Sequence, residues 1–321
     1  MPLQRRITDF YAERSLDDTA KALKEHYNID QNRSSINKVG HQVALEAKHF
    51  NAEECLSEEN AGSVSDTLIV QVDGSMIPIV DYQSSDPETA QSEASKTKTA
   101  KKTRDCFWKE IRLCTVRDFK SEKTTYGSVL GSPVEEGLMM EQCSKYRGLG
   151  EESWVHGVAD GAAWIAEQYE TTFGANHQFL IDFYHLMEYV SGAGEEMHKD
   201  LEIRSQWRSR QKIRLLNNQS GEVIAELRNW LLTNEGSEGI KVNDCLRYIE
   251  NREDNLDYET AKQNGLPIGS GEVESSQKSV IQKRLKLTGA WWKIEHAENV
   301  VQLRVMRANN HDSKFWSQKT A

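Results

Sequence analysis

The sequence has no apolar run of the roughly 18–20 residues that a membrane span needs. Its first residues, MPLQRRITDF, lack the apolar stretch of a signal peptide. A cytoplasmic location and no membrane partner are therefore expected. Cysteine is sparse: Cys55, Cys106, Cys114, Cys143 and Cys245 stand at irregular spacing with no CxxC pair. An odd count in that pattern predicts reduced structural thiols and argues against a disulfide framework or a structural zinc site. Positive charge is in deficit as well, with 40 Lys and Arg against 50 Asp and Glu and a net charge of −10. Phosphate binding depends on cations that release counterions, so this balance weighs against nucleic acid as a partner. Two facts soften the objection: metal-holding acids add negative charge that ions neutralise, and the basic residues are clustered. No internal repeat is present.

What is there is a polar globular chain of 321 residues, 37% hydrophobic and 28% charged, long enough for two or three compact units. Ser15-Leu16-Asp17-Asp18 opens a helix with Leu16, Ala20, Leu23 and Tyr27 on one face; Asn28-Ile29-Asp30 breaks it, and a second helix runs from Arg33 to about Phe50. Such a pair is either a helix-turn-helix or an ordinary helical hairpin. Residues 51–66 look like a polar linker. Thr67–Asp73 then predicts a buried strand ended by Gly74-Ser75, with Met76–Tyr82 as its hairpin partner. Residues 84–104 hold no large apolar residue and predict a mobile loop. Phe107–Arg117 predicts a third strand, Gly137–Tyr146 a helix, Trp154–Asp160 a fourth strand, a helix to about Phe173, and His177–Asp182 a fifth strand. The order is β-β-β-α-β-α-β. Residues 184–262 are helical in pattern. Leu266–Gly271 is a loop, and Glu272–Lys286 and Lys293–Ala308 close the chain as helices.

Three acids stand at element ends: Asp73 after the first strand, Asp160 after the fourth, and Glu274 at the start of the helix after Gly269-Ser270-Gly271. Two Mg²⁺ ions suit phosphoryl transfer and take oxygen ligands, so a few carboxylates with substrate phosphate suffice. The plainer reading makes Asp160 a helix cap and Asp73 a turn residue. Asp182 and His185, three apart, suit metal ligation, acid–base work or the fixing of a strand-to-helix junction. Lys278, Lys283, Arg284, Lys286, Trp291 and Trp292 mix cations with stacking rings, as a DNA surface would. Arg204, Arg208, Arg210 and Lys212 offer a second basic face. Either set also fits a solvated helix.

The segments VDGSMIPI, GVADGAAWI, FLIDFYHL and GSGEVESSQKSVIQKRLKLTGAWW stand in the order found in bacterial insertion-sequence transposases of the ISKra kind, relatives of the mutator-like DDE transposases. The resemblance spans roughly residues 67–308. It implies an α/β, ribonuclease-H-like fold: a five-stranded mixed sheet with flanking helices and an all-helical insertion before the last catalytic helix. The expected units are an N-terminal helical region at 1–62, a first part of the core at 63–185, the insertion at 186–262, and closing helices at 263–321. The implied catalytic and metal-holding set is Asp73, Asp160 and Glu274, with Glu272 competing for the third place and Asp182-x-x-His185 resembling a further family element. Implied too are two Mg²⁺ ions (Mn²⁺ able to substitute), double-stranded DNA as transposon end and target, and a homo-oligomer on that DNA. The chain departs from the family in starting almost on the helical hairpin and in lacking paired cysteines, which suggests a shortened N-terminus. A nuclease or resolvase that cuts without joining, or an inactive DNA-binding remnant, are the alternatives.

Overall fold

A computed structural model describes residues 2–56, 63–83, 103–234 and 238–320. Three helices come first: α1 (Pro2–Tyr11), α2 (Leu16–Tyr27) and α3 (Arg33–Leu56). Ser15 caps α2 by accepting from the Asp18 N–H, and Asn28 ends it in the left-handed region at φ 53°. Helix α3 outruns its expected end at Phe50 and takes up part of the supposed linker.

The sheet begins with β1 (Thr67–Gln83), followed by β2 (Thr103–Asp118) and β3 (Thr125–Val129). The expected turn at Gly74-Ser75 does not exist: β1 runs straight through it, paired antiparallel with β2 from Leu68↔Asp118 to Gln83↔Thr103. The hairpin partner of Thr67–Asp73 is therefore β2, not Met76–Tyr82. Most of the proposed 84–104 loop lies outside the described residues, and Arg104 belongs to β2. Pro78 is tolerated because its missing N–H faces the edge away from β2. On that edge its carbonyl accepts from the Trp292 N–H at 3.1 Å, and the Val80 N–H donates to the Trp292 carbonyl at 2.8 Å.

Next come α4 (Pro133–Tyr146), β4 (Trp154–Ala159), α5 (Ala163–Phe173) and β5 (His177–Ile181). The strands form one five-stranded mixed sheet in the order β3-β2-β1-β4-β5, with β1, β4 and β5 mutually parallel. The element order matches the expected β-β-β-α-β-α-β, although the meander is built from different segments. After it lie α6 (Phe183–Met197), α7 (Leu201–Leu216), α8 (Ser220–Thr233), α9 (Ile240–Glu250) and α10 (Tyr258–Gln263). The chain closes with α11 (Gly271–Ser276), a π-helical turn at Gln277–Gln282, α12 (Lys283–Leu285), α13 (Ile294–Ala308) and α14 (Asp312–Thr320).

Alternation along β1 feeds two cores. Leu68, Val70 and Val72 pack with β4, β5, α4, α5 and the helices α6–α10. Ile77 and Ile79, of the opposite parity, pack with Ile111 and Leu113 of β2, with α1–α3, and with the helices from α11 onward. No gap in the first core separates α6–α10 from the sheet: Trp207, Val223, Cys245 and Tyr258 belong to the same cluster as Val155 and Leu180. The N-terminal helices likewise share their core with the C-terminal ones.

Candidate active site

Parallel register sets the site. Val72 of β1 stands beside Ala159 of β4, and Ala159 beside Ile181 of β5. The next residue on each chain is an acid, so Asp73, Asp160 and Asp182 form a row at the carboxyl ends of the parallel strands, where open α/β sheets bind ligands. Asp73 is half-buried, and burial first of all pushes its carboxyl up to about 6. The Gly74 backbone hydrogen bond draws it partly back, while the charges of Asp160, Glu274 and Glu110 push it further up. Asp160 and Glu274 thus both lie within electrostatic reach of Asp73.

Glu274 arrives from across the chain because polar side chains staple α11 onto β1. Gln71, buried in the middle of the strand, accepts from the Val273 N–H at 3.1 Å and donates to the Gly269 carbonyl at 3.1 Å. The Gln277 amide donates to the Asp73 carbonyl at 2.6 Å. After Ser276 the helix loosens into the π turn, which carries Val280 and Ile281 into the second core. Glu274 and Asp160 are exposed. Glu272 does not compete for this place. Its carboxylate is held by Arg117 at 3.0 Å and by the Thr124 hydroxyl, away from Asp73.

Asp182 is in the row but turned inward. It is 1% exposed and accepts from the His185 N–H at 2.8 Å, the Ser270 N–H at 2.5 Å and the Ser270 hydroxyl at 2.6 Å. Its lone pairs are spent on capping α6 and anchoring the Gly269-Ser270-Gly271 loop, which is the junction role. Ser270 Oγ also lies 3.2 Å from a Glu274 carboxylate oxygen, but its one proton serves the nearer Asp182, so Asp182 acts on Glu274 only by anchoring the loop from which α11 starts. His185 faces the helices instead, edge-on to Tyr189 and Tyr248 and 3.6 Å from Glu188. Those helices touch the turn after β4: Arg252 donates to the Gly161 carbonyl at 2.7 Å and stacks on Tyr248. A Cβ at Gly161 would lie 2.2 Å from the Arg252 Nε, so any larger residue there would have to displace the Arg252 side chain. A cleft lined by Gln71, Arg117, Tyr184, Gly269 and Glu274 opens beside Glu274.

The basic candidates divide. Arg208, Lys212, Lys278 and Lys286 are exposed. Arg210 pairs with Glu226 at 2.8 Å, Lys283 with Glu13 at 2.8 Å, and Arg204 donates to the His198 carbonyl. Arg284 and Trp292 are not surface residues. Arg284 is 4% exposed and lies over the Tyr11 and Trp292 rings, while Trp292 is 8% exposed and donates to the Leu285 carbonyl at 3.0 Å. Trp291 is 39% exposed. Gln71, Ser270 and Gln277 went unnoticed in the sequence; the one available clue was a glutamine inside the apolar run TLIVQV.

Among the described residues, no three His, Cys, Asp or Glu side chains are close enough together to enclose an ion as they stand. The donor chemistry nevertheless fits a hard divalent cation: carboxylate oxygens only, one of them on an acid whose ionised form is disfavoured without a counter-charge. No protein-family model matches the chain, and no curated protein matches it either.

Proposed function

We propose that the chain is the catalytic core of a DDE-type DNA transposase on a ribonuclease-H-like fold, with Asp73, Asp160 and Glu274 as the metal-holding acids. The observation that carries this reading is the convergence of three acids, 201 residues apart at the extremes, on the carboxyl end of one mixed sheet, where Asp160 and Glu274 both raise Asp73. The strand order β3-β2-β1-β4-β5 and the helices placed between β5 and α11 support it.

Two Mg²⁺ or Mn²⁺ ions bound there would polarise the scissile phosphate and favour ionisation of the attacking hydroxyl. Asp73 contributes a carboxylate fixed by the strand, Asp160 one on the turn clamped by Arg252, and Glu274 one on the helix that Gln71 and Gln277 fasten to β1. Cleavage by water and joining by the freed 3′-hydroxyl are both displacements at phosphorus, and neither needs a covalent link to the chain. Exposed Lys278, one turn beyond Glu274, and Arg208 and Lys212 on α7 supply cations for the backbone of double-stranded DNA. Bringing two transposon ends together calls for a homo-oligomer.

Asp73→Ala, Asp160→Ala and Glu274→Ala should each lower Mg²⁺-dependent cutting of transposon-end DNA by at least about 100-fold with the circular dichroism spectrum unchanged. Full activity in any of them removes that acid from the set. Joining of pre-cut ends to a target plasmid separates a transposase from a nuclease that only cuts.

A further inference from the structure

A second concave site lies at the other end of β1. It is a cleft of about 620 Å³ between the N-terminal helices and the Leu287–Lys293 segment, lined among others by Arg33, His41, Tyr82, Arg284, Trp291 and Lys293. Its electrostatics are one-sided. Among the described residues that line it, the one carboxylate, Asp17, is paired with Arg33 at 3.3 Å, which leaves the cations Arg284 and Lys293 with no acid in the lining. Arg284 is the telling member. Its Nε donates to the Tyr11 carbonyl at 2.9 Å, yet among the described residues no hydrogen bond is made by its two terminal nitrogens. The nearby acid, Glu13, is taken up by Lys283 and Arg304. The terminal nitrogens of Arg284 are not among the fully enclosed unpartnered atoms, so they keep contact with the cleft, where an anion can accept from them. The His41 and His296 rings lie tilted against each other on the same wall, their centroids 3.7 Å apart. Burial above all, then the neighbouring charge, keeps His41 neutral, pushed down to about 4.

Aromatic rings continue from the mouth of the cleft over the face of the β1–β2 ribbon. Tyr82 (45% exposed), Trp291 (39%) and Trp108 (56%) follow one another: Lys293 lies over Tyr82, Arg104 over Trp291, and Trp291 is 6.4 Å from Trp108. A free small anion has no use for this row. A strand that alternates phosphates with flat bases matches both halves, since unpaired bases stack on exposed rings while their backbone follows cations.

We propose that this cleft and ring row form a binding site for an unpaired nucleic-acid strand, one phosphate lodged against Arg284 and the neighbouring bases stacked on Trp291, Tyr82 and Trp108. Tyr82 lies nine residues along β1 from Asp73. At about 3.3 Å per residue the site stands up to about 30 Å from the acids. The site deepens the reading of the protein as a DNA-handling enzyme by naming single-stranded nucleic acid as a ligand of its own.

The test is fluorescence anisotropy of a labelled 20-nucleotide single strand and of the matching duplex, in EDTA, with Asp73→Asn as the parent chain so that cutting plays no part. The single strand should bind more tightly than the duplex and quench tryptophan emission. Trp291→Ala should weaken it about tenfold, and Arg33→Ala with Lys293→Ala should flatten its salt dependence. These positions are exposed, which spares the fold; Arg284→Gln is read only if its melting curve matches the parent. Equal binding of duplex and single strand, unaffected by Trp291→Ala, overturns the proposal, as does competition by inorganic phosphate at the concentration of strand phosphates. Loss of cutting in Asp73→Ala alongside strand binding that ignores these substitutions rejects the cleft alone. The reverse pattern rejects the catalytic assignment alone.

Discussion

Asp73 illustrates how much a single carboxyl reveals. Its ordinary value of 3.8 rises to about 6 in the folded chain, so the native state binds its proton more tightly than the unfolded chain does. The resulting penalty is complete above pH 6, shrinks as pH falls, and is gone below about 3.8. Asp73→Asn should therefore melt at a higher temperature than the parent at pH 7.5 without divalent ions, with the gap closing toward pH 4. Saturating Mg²⁺ should raise the parent and leave the variant nearly unmoved. Thermal melts across pH, with and without Mg²⁺, read both effects. A variant no more stable than the parent at pH 7.5 would mean that neither burial nor the neighbouring acids disfavour the ionised Asp73. Glu136, fully buried on α4, is likewise pushed up by burial, to about 8, but it lies outside the acid row. A raised carboxyl alone does not mark a site.

At the scale of elements, the junction of β5, α6 and the loop before α11 transmits order to Glu274. Asp182 is the knot, with three donors converging on two oxygens. Hydrogen bonds to a charged group contribute roughly 1.5–3 kcal/mol each, so Asp182→Ala should cost about 3 kcal/mol or more in urea unfolding. Ser270→Ala should cost less stability yet still lower cutting by raising the KM for divalent ion. A Ser270→Ala chain with unchanged metal dependence would show that Glu274 needs no support from it. Much of this level was legible in the sequence. Ser15 announces α2, the runs before Asp73, Asp160 and Asp182 announce strands, and the helical tract announces α6–α10. Other parts were not legible, for physical reasons. Gly74-Ser75 carries local turn chemistry that a 16-residue partner strand overrides, since every residue from Leu68 to Gln83 finds its mate on β2. The short β3, TYGSV, lacks the apolar run by which a strand is recognised and exists because β2 offers it an edge. Arg284 and Trp292 looked like a surface cation and ring because nothing local says that Tyr11 of α1 will meet Arg284, or that Trp292 will pair with β1 beneath that guanidinium.

For the whole molecule, the two ends of the chain share a core. Ile7, Tyr11, Leu23, Ile36 and Phe50 pack in the same cluster as Val300, Leu303, Met306 and Trp316. Arg304 from α13 is held by the Ala12 carbonyl and by Glu13, and Asn51 donates to the Gln302 carbonyl at 2.8 Å. Removing residues 1–56 should thus lower the melting temperature by on the order of 10 °C or prevent folding. An independently docked recognition module would leave it unchanged, and differential scanning calorimetry tells the two apart. The uninterrupted β1 adds a mechanical corollary. One half of that strand is a rib of the first core and the other half a rib of the second, with Asp73 standing where the two meet. Any load placed on the distal aromatic face, such as the pull of a tethered strand, would travel down a single continuous backbone to the carboxylate that faces Asp160 and Glu274. Far grip and near chemistry would then answer to the same rod.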